Sequence, residues 1–205
     1  MYLIIPSKER EDMKKIAVYC GASTGNSPAF AKAARELGDY LARHKLELVY
    51  GGGGVGLMGI LANQVLAAGG KVHGVMPQEL VERGAAFAKL TDLKIVPNMS
   101  IRKQTMLAIS DGSIALPGGP GTLEEIIEAF SWARLGDNLN PCVFYNVAGY
   151  YDPLKKMFDE MTAKGFLTTA DRAKLLFSKS LTEIFTFMAS YVPPQIRTYP
   201  EVGNM

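Results

Sequence analysis

Gly112-Ser-Ile-Ala-Leu-Pro-Gly-Gly-Pro-Gly-Thr-Leu-Glu-Glu125 holds the decisive reading of this 205-residue chain. Gly112 to Leu116 reads as a short apolar strand that runs straight into a turn built from glycine and proline. A helix over roughly 122–135 follows, with Ile126, Ile127, Phe130 and Ala133 as its apolar stripe. A strand, a glycine turn and a helix in direct succession make half of a βαβ unit. Such a turn leaves the first helical N–H groups free to hold an anion.

The same alternation extends in both directions. Upstream, Ile16–Cys20, Leu46–Tyr50 and Lys71–Met76 read as strands. Between them, Ser27 and Pro28 open a helix to about Arg43, and a second helix runs from about Leu57 to Ala68. Residues 78–92 read as a short helix and a loop around Gly84, followed by a strand at Leu93–Val96 and a helix beginning after Ser100. Downstream come a strand at Cys142–Tyr145, helices near 152–164 and 180–190, and a short strand at Leu175–Phe177. Strands alternating with helices predict an α/β fold, a Rossmann-like parallel sheet with helices on both faces. The expected organisation is a single domain over 15–192, with an N-terminal extension over 1–14 and a C-terminal tail over 193–205. In such a sheet, ligands bind beyond the carboxyl ends of the strands.

Composition narrows the function. A net charge of +2, not gathered into any basic block, speaks against nucleic acid and requires any anion to be held by a local site. Cys20 and Cys142 lie at or near apolar runs and read as buried, reduced thiols, and no Cys/His spacing suggests a metal. The apolar opening Met1–Ile5 is cut by Pro6 and then by charges, too short for a signal peptide or a membrane span. A cytoplasmic protein is the expectation.

Two glycine-rich turns follow predicted strand ends. Gly51-Gly-Gly-Gly54 opens a stretch with a GxGxxG match at Gly54-Val-Gly56-Leu-Met-Gly59. It belongs to the second βα unit, and no carboxylate ends the next strand to hold a ribose, so a dinucleotide site is disfavoured. Pro117 to Thr122 is the more specific turn. Thr122-Leu-Glu-Glu125 also fits a T-x-x-E capping box, as does Ser180-Leu-Thr-Glu183. A cap accounts for Thr122 and Glu125 but not for the prolines and glycines before them. Glu124 and Glu125 point about 100° apart, so only one can face a given pocket. Trp132 shares Glu125's face, either as a pocket wall or as an ordinary core aromatic. Arg102-Lys103 lies at the ligand-bearing edge, in a helix that Ser100 is expected to cap.

Together these residues resemble the LONELY GUY (LOG) family of cytokinin riboside 5′-monophosphate phosphoribohydrolases, long labelled lysine decarboxylases. Its PGGxGTxxE motif stands here as Pro117-Gly-Gly-Pro-Gly-Thr-Leu-Glu-Glu125 and its GGGxxGLMG turn as Gly51 to Gly59. Its Arg-Lys pair is Arg102-Lys103, and Val18–Ser23 and Asn146–Asp152 are also similar to it. The likeness runs from about residue 15 to 190. Ser100 replaces a frequent histidine and Arg134 a frequent glutamine, changes that bear on the preferred base.

The resemblance implies hydrolysis of the N-glycosidic bond of a nucleoside 5′-monophosphate, with Arg102 and Glu125 as the catalytic pair. It places the nucleotide and its phosphate at Ser23, Gly51, Gly52, Gly53, Gly54, Lys103, Gly118, Gly119, Gly121 and Thr122. It implies no cofactor, no nucleic-acid or membrane partner, and a homodimer. The alternatives are a broader nucleoside monophosphate nucleosidase and a nucleotide or cofactor carrier without turnover. Lysine decarboxylation is disfavoured because no lysine has a recognisable pyridoxal-phosphate setting.

Overall fold

The computed structural model describes residues 13–196; residues 1–12 of the expected extension and 197–205 of the expected tail lie outside the described residues. Seven strands form one sheet: β1 (Lys15–Tyr19), β2 (Glu47–Tyr50), β3 (Val72–Pro77), β4 (Asp92–Val96), β5 (Gly112–Ala115), β6 (Cys142–Tyr145) and β7 (Leu175–Ser178). Their order is β4-β3-β2-β1-β5-β6-β7, and every neighbouring pair is parallel. The order therefore reverses between β1 and β5, and the chain leaves these two strands in opposite directions across the sheet.

Helices α1 (Pro28–Arg43), α2 (Gly56–Ala67) and α8 (Leu181–Ala189) bury their apolar faces against one side of the sheet. Helices α4 (Met99–Ala108), α5 (Pro120–Leu135) and α6 (Asp152–Ala163) cover the other. Every residue of β5 and β6 is buried, which is why these strands read as continuous apolar runs. β4 lies at an edge and is largely exposed. Both cysteines are free and buried, as expected, and burial pushes the Cys142 thiol up to about 12. The described residues also hold two short α-helices, α3 (Gln78–Glu82) and α7 (Thr169–Arg172), and a 3-10 turn at Val147–Gly149. The first helix was anticipated; the second is too short to leave a periodic pattern.

Helix starts hold most of the differences from the sequence reading. α1 begins as expected, with Ser27 Oγ accepting the Ala29 N–H and Pro28 next in line. α4 begins earlier, capped by Asn98, whose Oδ1 accepts the Ile101 N–H at 3.0 Å. Ser100 therefore lies inside the first turn rather than capping it. Asparagine caps as well as serine does, and here it comes two residues sooner. α5 also begins early, at Pro120 with Gly119 as its N-cap, because proline suits the first helical position, whose N–H has no helical partner. Thr122 is thus a buried residue within the helix, and the capping box with Glu125 does not form. The equivalent pattern at Ser180 does cap its helix: Ser180 Oγ accepts the Glu183 N–H.

Candidate active site

The carboxyl ends of β1, β2, β3 and β5 converge on one edge of the sheet. The Gly21 N–H, after β1, donates to the Pro117 carbonyl at 3.1 Å and ties the two switch-point turns together. Beyond Pro117 the chain enters α5, and a side chain built at Gly119 or Gly121 would meet nothing within 4 Å. The N–H groups of Gly121 and Thr122 belong to the first helical turn, which has no internal acceptors for them. Open space and free donors therefore coincide at this helix start. At Gly118 the room is used differently, since a side chain there would overlap Thr122 Oγ1. Ser23 sits on the exposed loop after β1, with its Oγ accepting the Gly25 N–H.

Arg102 and Glu125 meet across this edge. Arg102 Nη2 lies 3.1 Å from Glu125 Oε1, with only 12% and 11% of the two side chains exposed. The guanidinium is further fixed by Nε donating to the Val75 carbonyl at the end of β3 (3.1 Å) and by Nη1 reaching Met99 Sδ (3.0 Å). Burial raises the Glu125 pKa above the usual carboxylate value, Arg102 pulls it back, and the charges of Glu124 and Glu128 add to the rise. Arg102 thus favours the ionised form of a carboxylate that its surroundings would otherwise neutralise.

Lys103 is placed differently from its expected role as a phosphate ligand. Its side chain is 13% exposed, and its ammonium is taken by two carboxylates of α5, Glu124 and Glu128, the latter at 2.8 Å. Arg102 and Lys103, adjacent on α4, therefore engage Glu125 on one side and Glu124 with Glu128 on the other. With every side chain ionised, these five residues carry two positive and three negative charges, a local excess of one negative charge.

The Gly51–Gly53 part of the turn is close-packed with protein, whereas Gly54 is exposed. A side chain at Gly51 would overlap Arg102 Nη2, while those at Gly52, Gly53 and Gly54 would press on Leu93, Met58 and Phe87. The turn also accepts the Phe87 N–H at the Gly52 carbonyl and forms a bridge from Gly53 to Ala86. Two N–H groups of the first turn of α2 are engaged as well: Leu57 and Met58 both donate to the Gly21 carbonyl. Two of the donors that a bound pyrophosphate would use at the helix start within the GxGxxG match are thereby engaged within the protein.

Three tyrosines of the site lie in stretches similar to the LOG family, but no pattern singled them out as site residues. Tyr19 ends β1 and is buried; burial and then the charge of Glu125 push its hydroxyl pKa upward. Tyr150 and Tyr151 donate to carbonyls of the Leu116–Gly118 turn. They lie in the quoted stretch Asn146–Asp152, but nothing in their spacing says where their hydroxyls end. Trp132 is half-buried and belongs to neither core cluster. Arg134 pairs with Asp171 of α7 at 3.0 Å. Among the described residues no group of three or more His, Cys, Asp or Glu could hold a metal ion. No helix there is long and apolar enough to cross a membrane.

A doubly wound parallel sheet with a free helix start and an ion-paired carboxylate at its switch point defines an α/β protein whose candidate site lies in the crevice where such sheets bind ligands. Comparison with known proteins narrows this class. The family model described as "Possible lysine decarboxylase" matches residues 58–188. A "Probable cytokinin riboside 5'-monophosphate phosphoribohydrolase" of Oryza sativa subsp. japonica is 42% identical over 189 residues, 92% of this chain and 83% of that one. A cytokinin riboside 5'-monophosphate phosphoribohydrolase of Rhodococcoides fascians is 40% identical, over 86% of this chain and 90% of its own. The chain belongs to this family, the LOG family. Among solved structures, the molybdenum cofactor binding protein of Rippkaea orientalis superposes with a TM-score of 0.67 at 19% identity, covering 88% of this chain and 98% of that one. The molybdenum cofactor carrier protein of Chlamydomonas reinhardtii superposes with a TM-score of 0.64 at 20% identity, covering 85% of this chain and 94% of that one. These two share its fold.

Proposed function

We propose that this protein hydrolyses the N-glycosidic bond of a cytokinin riboside 5′-monophosphate, or of AMP, releasing the free base and ribose 5-phosphate. The observation that carries the reading is the buried Arg102–Glu125 pair beside the open start of α5. In this reading the 5′-phosphate lies at Gly119, Gly121 and Thr122, flanked by Gly118 and Ser23. Gly51 shapes the floor by admitting Arg102, and Gly52–Gly54 form the adjoining wall.

The chemistry suits these groups. Breaking the C1′–N bond builds positive charge on the ribose, as in the oxocarbenium-like transition states of glycoside hydrolysis. Glu125 provides a fixed negative charge for it and orients or deprotonates the attacking water, whose oxygen bonds to C1′. The departing base takes up a proton. Arg102 keeps Glu125 ionised and offsets negative charge on the phosphate or the leaving base. The phosphate holds the sugar in place through binding remote from the bond that breaks. This step requires neither metal nor organic cofactor. Lys103, next to Arg102 on α4, is committed to two carboxylates and so is not itself a free amine for a decarboxylase aldimine.

The test is release of base and ribose 5-phosphate from AMP and from an isopentenyl-AMP without added metal. Glu125→Gln is expected to lower turnover by at least about a hundredfold while nucleotide binding is largely retained. Nucleotide binding without cleavage by the unaltered protein would instead favour a carrier. A cytoplasmic homodimer is part of the same proposal, and light scattering coupled to gel filtration reads its mass.

A further inference from the structure

An anion turn needs its carbonyl oxygens held away from the ligand as much as it needs its N–H groups turned toward it. In the turn from Leu116 to Gly119 each carbonyl has a donor. Leu116 receives the Tyr151 hydroxyl at 2.6 Å, and Gly118 receives the Tyr150 hydroxyl at 2.6 Å. Pro117 receives the Gly21 N–H, and Gly119 receives the Leu123 N–H. Three of the four donors are buried or helical; the fourth, Tyr150, is 43% exposed at the rim of the site.

Tyr150 reaches Gly118 through a costly piece of backbone. Ala148 (φ 52°) and Gly149 (φ 76°) both take the left-handed conformation, which a residue with a side chain rarely adopts. Asn146 holds this reversal from both ends: its Oδ1 accepts the Tyr151 N–H and its Nδ2 donates to Asp152, each at 2.7 Å. The ring of Tyr150 then packs edge-on against Phe30 and Tyr151. An exposed side chain is thereby held in one place.

The geometry points to Tyr150 as a positioning residue for the phosphate: its hydroxyl fixes the Gly118 carbonyl and so aims the N–H groups at the start of α5 toward the ligand. The phenol has one proton and gives it to Gly118, so Tyr150 acts through the turn rather than on the ligand. The inference rests on the proposed function in one respect, that this turn receives a phosphate.

Tyr150→Phe removes the hydroxyl and keeps the ring contacts. The expected result is a rise of about five- to tenfold in KM for AMP or isopentenyl-AMP, the scale of one hydrogen bond. The inhibition constant of ribose 5-phosphate should rise by the same factor, with kcat within about twofold of the unaltered protein. An unchanged inhibition constant, or a fall in kcat with KM unmoved, would overturn the inference while leaving the phosphate site in place. A different result marks failure of the underlying reading. In that case the unaltered protein neither cleaves the nucleotides nor binds ribose 5-phosphate, and the inference falls with it.

Discussion

Gly51 and Arg102 are in contact so close that a side chain at position 51 would occupy the place of the guanidinium's Nη2. The bare α-carbon is what leaves room for the Arg102 guanidinium at the end of β2, where it reaches both the Val75 carbonyl and Glu125. Gly51→Ala should therefore act as an indirect Arg102 variant. A fall of about a hundredfold or more in kcat/KM is expected, since the proposed catalytic pair would be displaced from a buried, preorganised position. The base-release assay reads it, with a circular dichroism spectrum as the check on folding. Full activity would show that Arg102 does its work from some other position.

The acid limb of the activity profile should report Glu125. Its ionised form is the active one in this reading, and its pKa is raised, chiefly by burial. Activity is then lost as pH falls through a value above the ordinary carboxylate range. Glu124 contributes to the rise through its charge. Glu124→Gln should accordingly move the acid limb of kcat/KM to lower pH. A shift to higher pH would contradict the arrangement.

Lys103 offers a sharper contrast, because a phosphate ligand and a clamp between helices behave differently when removed. Lys103→Met strands the partly buried Glu128 carboxylate and removes a charge that lowers the Glu125 pKa. The expectation is a stability loss of roughly 1–3 kcal/mol and an acid limb displaced upward, with the inhibition constant of ribose 5-phosphate little changed. Lys103→Arg should restore most of both losses. Weakened ribose 5-phosphate binding as the dominant effect of Lys103→Met would return the residue to the phosphate.

A separate charge cluster governs acid stability. At the opposite end of the sheet, Glu47 on β2 accepts from Lys71 at 2.9 Å and from His73 on β3 at 2.8 Å. The Lys71 hydrogen bond, ahead of that from His73, lowers the Glu47 pKa from the usual 4.5 to about 2 against the opposing effect of burial. The sign follows from the folded state holding this proton less tightly than the unfolded chain does. The stabilisation is fully present above pH 4.5 and disappears as pH falls toward 2. Glu47→Gln should lower the melting temperature at neutral pH, and the gap from the unaltered protein should close over that acid window. A gap independent of pH would mean that packing, not charge, holds Glu47.

Much of this was legible in the order of residues. Alternating apolar runs and helical stripes depend only on local periodicity and on the need to cover both sides of a parallel sheet. Seven strands in the expected places follow from that. So does the position of the glycine turn at Pro117–Thr122, because proline and glycine act on the backbone conformation of their own positions. The two carboxylates and two cations of Glu124, Glu125, Arg102 and Lys103 were visible as charges on two predicted helices.

Which cation meets which carboxylate was not visible, because it depends on how α4 and α5 pack across residues more than twenty positions apart. Thr122 and Glu125 had the spacing of a capping box, but whether a box forms depends on where the helix begins. That start moved to Pro120 and gave Glu125 to Arg102. Equal-looking glycines also parted company: the room at 51–53 is filled by neighbouring side chains, whereas Gly119 and Gly121 face open space. A sequence records the absence of a side chain, whereas the packed fold decides whether protein or ligand takes the room that it leaves.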